Sequence, residues 1–142
     1  MIELRNVVLA VGLAAGPGCQ SKEPEVSDQQ IASGDFEARR DIRVKSLEAE
    51  LQVINTQPIM INAIAQNAPL TAASRAAVTD KLQKLQMRYD EAKNQVEGLK
   101  SVSADQFEDA DDRTRDAFDK LHDARKAAWD AVNDAQRADR SS

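Results

Sequence analysis

The sequence predicts an all-α protein: an up-down-up three-helix bundle with coiled-coil-like packing, placed after an N-terminal signal segment and a tether. Three observations predict it. Only five Gly, four Pro and five aromatic residues occur in 142, while Ala, Leu, Gln, Lys, Arg, Asp and Glu dominate, which is the composition of long helices rather than sheets. Apolar residues recur at alternating spacings of three and four over three stretches. The breaks between those stretches carry Pro or a Ser/Thr capping signal, the punctuation that ends and restarts helices.

The first segment, residues 1–18, reads as an address rather than as fold. Arg5 gives a basic start, Val7 to Ala15 is an apolar run of nine, and Gly16, Pro17 and Gly18 close it. That order is the order of a signal peptide. Nine apolar residues fall far short of the roughly 20 needed to span a bilayer as a helix, so the run is expected to be removed rather than retained as an anchor. Cys19, the only cysteine, stands at the expected cleavage point behind a small residue. Here the chain resembles a bacterial lipoprotein precursor, in which the cysteine is acylated with palmitate-type chains and becomes the mature N-terminus. Gly16 stands where that motif prefers an aliphatic residue, Pro17 is unusual in it, and Glu3 offsets Arg5. The resemblance implies lipid attachment at Cys19. Since Gln20 is not the Asp that marks inner-membrane retention in such precursors, it also implies the outer membrane, facing the periplasm.

Residues 19–34 read as the lipidated cysteine and a polar tether, within which Val26, Ser27, Gln30 and Ile31 match a capping box with its staple. The bundle is expected over residues 35–140. Its first helix begins near Asp35 with Val44, Leu47, Leu51 and Ile54 on one stripe, and Pro58 ends or kinks it near Asn55 to Gln57. Residues 59–68 then continue in a new direction until Pro69, and Thr71 is the expected N-cap of the next helix. That second long helix carries the cleanest heptad seam: Val78, Leu82, Leu85, Tyr89, Ala92, Val96 and Leu99. In the short turn after it, Ser103 and Gln106 fit a capping box, and Val102 and Phe107 fit its staple. The third helix then runs to about Ala138 with Phe107, Ala110, Thr114, Phe118, Leu121, Ala128 or Trp129, and Val132 inward.

Charge points to the same arrangement. Between Arg39 and Lys45 four bases face one acid, whereas Ser103 to Asp123 holds eight acids against three bases. An up-down-up path makes the first and third helices parallel and sets these segments side by side, although exposed pairs of this kind contribute only about 0 to 1 kcal/mol each. The short turn, the Pro58 break and this complementarity all expect the heptad seam to be satisfied within one chain, giving a bundle that is mainly monomeric at micromolar concentration.

A net charge of −5 argues against nucleic acid as a partner. One Cys and one His exclude an internal disulfide and a Cys/His metal cluster. His122 reads as a surface histidine, and the acids Glu108, Asp109, Asp111 and Asp112 lack the glycine turn of a calcium loop. No nucleophile elbow, phosphate-cradling glycine loop or zinc-protease motif occurs, so no catalytic residue, metal or cofactor is expected.

Two resemblances bear on function. Ala117, Phe118, Asp119 and Leu121, repeated as Ala128, Trp129, Asp130 and Val132 after a heptad helix, resemble the small coiled-coil, apolipoprotein-like helical proteins of bacterial envelopes. That likeness covers about residues 80–135 and implies no particular activity. The expectation is a non-enzymatic envelope lipoprotein that serves a structural or interaction role toward another envelope protein or the cell wall. The alternative is a helical periplasmic holdase or stress-sensor inhibitor. It rests on Val26-Ser27 with Gln30, Val102-Ser103 with Gln106, and the partial Leu70-Thr71, which are similar to the Leu-Thr-x-x-Gln motifs of small periplasmic chaperones.

Overall fold

A computed structural model describes residues 33–141. The signal segment, Cys19, the Ser27 capping box and all but the last two residues of the tether lie outside the described residues. Among the described residues four α-helices follow one another: α1 (Ser33–Asn55), α2 (Gln57–Asn67), α3 (Ala72–Leu99) and α4 (Phe107–Arg140), with a 3₁₀ turn (Ala104–Gln106) leading into α4. Helix α1 begins two residues earlier than expected and takes Gly34 into its first turn. Its first residues, up to Ala38, group with the N-terminal unit. The compact unit is Arg39–Ser142, and the packing below is that of this unit.

The Pro58 break falls where the sequence places it. Pro58 sits at the start of α2, where its missing N–H leaves no helical bond unmade, and the one residue between α1 and α2 is Thr56. The interruption is slight, because Met60 N still donates to Thr56 O at 3.3 Å across it. Helices α1 and α2 therefore form one broken arm, and the bundle has three arms.

Contacts between the arms fix their directions. Arg43 meets Asp111, Glu50 meets His122 and Gln57 meets Trp129, so numbers rise together along α1 and α4, which are parallel. Against α3 they run in opposite senses: Lys100 reaches Glu48, Lys120 faces Glu91, and Thr71 N donates to Asp139. The up-down-up topology follows.

The core is the set of seams read from the sequence. Val44, Leu47, Leu51 and Ile54 of α1 are buried, and α2 continues the phase with Ile61 and Ala65. On α3, Val78, Leu85, Ala92, Val96 and Leu99 are buried, while Leu82 and Tyr89 pack at the edge, half exposed. On α4, Ala110, Thr114, Phe118, Leu121, Ala128 and Val132 face inward, with Ala117 and Ala135 added to them. Each fully buried Leu or Ile contributes about 1.5 to 3 kcal/mol, and the alanines Ala92, Ala117 and Ala128 keep the layers thin.

The two expected caps differ. Thr71 adopts the extended cap conformation, and its Oγ1 accepts from Ser74 N at 3.1 Å. Ser103 makes no such bond, so the capping box assigned to it is corrected: the chain enters α4 through the 3₁₀ turn, closed by Gln106 N donating to the Ser103 carbonyl at 3.2 Å. A backbone bond takes the place of the side-chain cap, and Val102 and Phe107 still pack on the core beside it.

Candidate functional site

Two sets of polar side chains stand out, one along the seam between the α1–α2 arm and α4 and one rimming the outer groove between α3 and α4. Along the seam, positions one heptad apart on the α1–α2 arm each take a partner on α4. Arg43 Nε lies 2.7 Å from Asp111 Oδ1, Glu50 Oε1 lies 2.8 Å from His122 Nε2, and Trp129 Nε1 donates to Gln57 Oε1 at 3.1 Å. Asp111 is 7% exposed and also receives Arg115 at 2.9 Å, so its buried carboxylate is held between two guanidinium groups. Arg40 extends this end of the seam by donating to the Val102 carbonyl at 3.2 Å. The basic and acidic segments expected to face each other meet at an ion pair, Arg43 with Asp111.

His122 is therefore at the surface, as the sequence suggests, but engaged. Its ring packs on Phe118 with centroids 6.4 Å apart while Glu50 holds Nε2. A pair of this kind lacks an adjacent hydroxyl or thiol nucleophile, and its geometry is that of a tether between helices. Among the described residues, no three His, Cys, Asp or Glu side chains converge on a point that could hold a metal ion. Of the acids Glu108, Asp109, Asp111 and Asp112, Asp111 points inward to Arg43, and Asp112 turns to Arg115 at 3.2 Å.

The groove lies between α3 and α4, where α4 presents Lys120, Asp123, Ala124 and Ala127, and its volume is about 450 Å³. Ala124, Ala127 and the exposed Met87 form an apolar floor, and Lys81, Lys84, Arg88 and Lys120 rim it. Three of the cations have acids nearby: Lys84 with Asp80 at 3.7 Å, Arg88 with Glu91 at 2.6 Å, and Lys120 with Glu91 at 3.8 Å. The hydrogen bond from Arg88, aided by the charges of Arg88 and Lys120, holds the Glu91 carboxyl below its usual value of 4.5. Lys81 makes no ion pair among the described residues. Such a surface can receive an extended or helical segment with an apolar edge and acidic flanks.

Sequence reading did not single out this groove, although its signal is present: Lys81, Lys84 and Arg88 form a basic stripe at spacings of three and four beside the heptad seam. That the stripe faces Lys120 depends on the α3–α4 register, which no local pattern contains. The motif at Val102-Ser103 with Gln106 lies at the α3–α4 turn and is occupied in closing it. No helix of the described residues is long and apolar enough to cross a membrane. Set against known proteins, the chain matches no family model, no curated protein and no solved structure.

Proposed function

We propose that this chain is a non-enzymatic lipoprotein of the bacterial cell envelope, anchored through acyl chains on Cys19, with its helical bundle serving a structural or protein-interaction role. The observation that carries the reading is the position of the only cysteine, directly after a segment that runs basic, apolar and then small. Two or three acyl chains anchor stably where one does not, at about 0.8 kcal/mol per buried methylene, so the bundle needs no membrane-binding surface of its own. Gln20 directs the anchored protein to the outer membrane, facing the periplasm. His122 and the buried Asp111 are occupied in holding helices together, which supports interaction over catalysis. The basic-rimmed groove between α3 and α4 supports a protein partner with an acidic face. Burial of the seams within one chain supports a bundle that is mainly monomeric at micromolar concentration.

Metabolic labelling with a clickable fatty acid tests the anchor. Wild-type protein takes up label and fractionates with membranes, while Cys19→Ala loses the label and becomes soluble. Unlabelled wild-type protein that still sediments with membranes overturns the reading.

A further inference from the structure

The α1–α2 arm carries a second seam on the side opposite the core. Stepping by four and three from Ile42 to Asn67 lands on Ile, Ser, Ala, Val, Thr, Met, Ala and Asn, and all eight are exposed. None is charged in a chain that is 30% charged, whereas an exposed stripe of that length ordinarily carries several charges. The inner seam of Val44, Leu47, Leu51 and Ile54 follows it by alternately two residues and one, about 150° around the helix. Ile42 is 69% exposed, Val53 63% and Met60 51%. The phase crosses the Pro58 break without a skip, because the Met60 N to Thr56 O bond spans it.

We propose that this outer seam pairs, in parallel, with the same seam of a second copy of the chain. Numbering the seam as a heptad puts Ser46, Val53, Met60 and Asn67 at a positions and Ile42, Ala49, Thr56 and Ala63 at d. The β-branched Val53 at an a position suits a parallel two-stranded pair. The flanking positions fit the same choice. In a parallel pair each flanking residue meets the one five places on in the other copy, which brings Lys45 to Glu50, Gln52 to Gln57 and Ile59 to Ile64. Lys45 makes no ion pair among the described residues, and Glu50 uses Oε1 for His122, so Oε2 can accept a second cation. Ile59, 73% exposed, gains an apolar neighbour. No like charges meet. Antiparallel pairing leaves Lys45 and Glu50 on opposite flanks of the seam and loses the match. Ala49 and Ala63 allow close approach but add little apolar area, so the pair is weak: it forms near millimolar concentration, or where chains are confined to a surface, and it dissociates in dilute solution.

Cysteine cross-linking of the full chain carrying Cys19→Ser tests this. With one new cysteine at a seam position, Ala49→Cys or Ala63→Cys, oxidation near millimolar concentration yields disulfide dimer many-fold above an Asp116→Cys control on α4. Adding Val53→Glu abolishes the excess while helicity is unchanged, because Val53 lies outside the core. Lys45→Glu lowers the yield, and Lys45→Glu with Glu50→Lys restores it. A yield no greater than the control at both seam positions overturns the proposal, and so does cross-linking at only one of them, which a parallel pair does not give. Sedimentation of the chain without new cysteines gives an independent reading: a mass rising toward that of two chains near millimolar concentration supports the pairing, and a single-chain mass throughout overturns it.

Discussion

Replacing Asp111 with Ala tests whether the α1–α4 seam is clamped by charge. Asp111 lies on α4 at 7% exposure, with Arg43 of α1 at 2.7 Å and Arg115 one turn along at 2.9 Å. Hydrogen bonds to charged groups contribute about 1.5 to 3 kcal/mol each when solvent is excluded. The Arg115 side chain is 63% exposed, so its bond is worth far less. Arg43 is 34% exposed and rehydrates in part once its partner is gone, which keeps the loss below the roughly 3 to 5 kcal/mol of a fully buried broken pair. The expected loss is about 1.5 to 2.5 kcal/mol, or a fall in Tm of about 6 to 15 °C for a domain of this size. Urea and thermal unfolding followed by far-UV circular dichroism measure it, with Asp112→Ala as control, since Asp112 is 64% exposed and worth less than about 0.5 kcal/mol. A double-mutant cycle with Arg43→Ala should return a coupling of about 1 kcal/mol. If Asp111→Ala unfolds at the same midpoint as Asp112→Ala, the clamp is refuted.

Leu121→Ala, at a side chain with no solvent exposure at the centre of α4, should cost about 2 to 5 kcal/mol, and a urea midpoint close to wild type would contradict the core described here. Thr71→Ala removes a cap bond of 3.1 Å and should cost about 1 kcal/mol, whereas Ser103→Ala removes none and should cost only a few tenths; equal losses would restore the capping box at Ser103. Because the folded Glu91 carboxyl titrates below 4.5, its contribution is present above that value and is lost as pH falls through the lower folded one. The Tm difference between wild type and Glu91→Gln should therefore be constant near neutrality and shrink in acid below 4.5, and a difference that grows in acid would reverse the assigned sign.

The long seams were legible because each repeats over several turns, and a pattern sustained from Val78 to Leu99 has no other regular structure to satisfy it. Thr71 was legible because a Pro precedes it and an Ala-rich run follows. Helix α2 was legible only as a continuation. Within its eleven residues Ile59, Met60, Ile61 and Ile64 cover most directions, so local periodicity does not choose a face, and the burial of Ile61 and Ala65 comes from the phase inherited across Thr56. Ser103 was misread because a Ser three residues before Gln satisfies both a side-chain cap and a 3₁₀ turn closed through the backbone. The partners Glu50 and His122, or Gln57 and Trp129, lie some 72 residues apart and depend on interhelical register, which no window of sequence contains.

Register is where the polar ladder matters most. Helix α1 presents Leu, Val and Ile to the core, and one apolar layer accepts a neighbouring helix shifted by a turn at modest cost. The ladder does not. Sliding α1 by one turn along α4 takes Arg43 away from Asp111 and leaves a carboxylate at 7% exposure without the cation from α1, and the same slip unpairs Glu50 from His122 and Gln57 from Trp129. In the correct register these contacts add little, since most of the groups are half exposed and were well hydrated before folding. In a wrong register Asp111 costs more than the right one gains, because losing Arg43 leaves a desolvated carboxylate with only the exposed Arg115 of its own helix to compensate it. The asymmetry explains why Arg43, Glu50 and Gln57 stand one heptad apart between the inner and outer seams of the same arm. They hold the inner seam in one alignment against α4, and by doing so they fix which residues the outer seam presents to solvent.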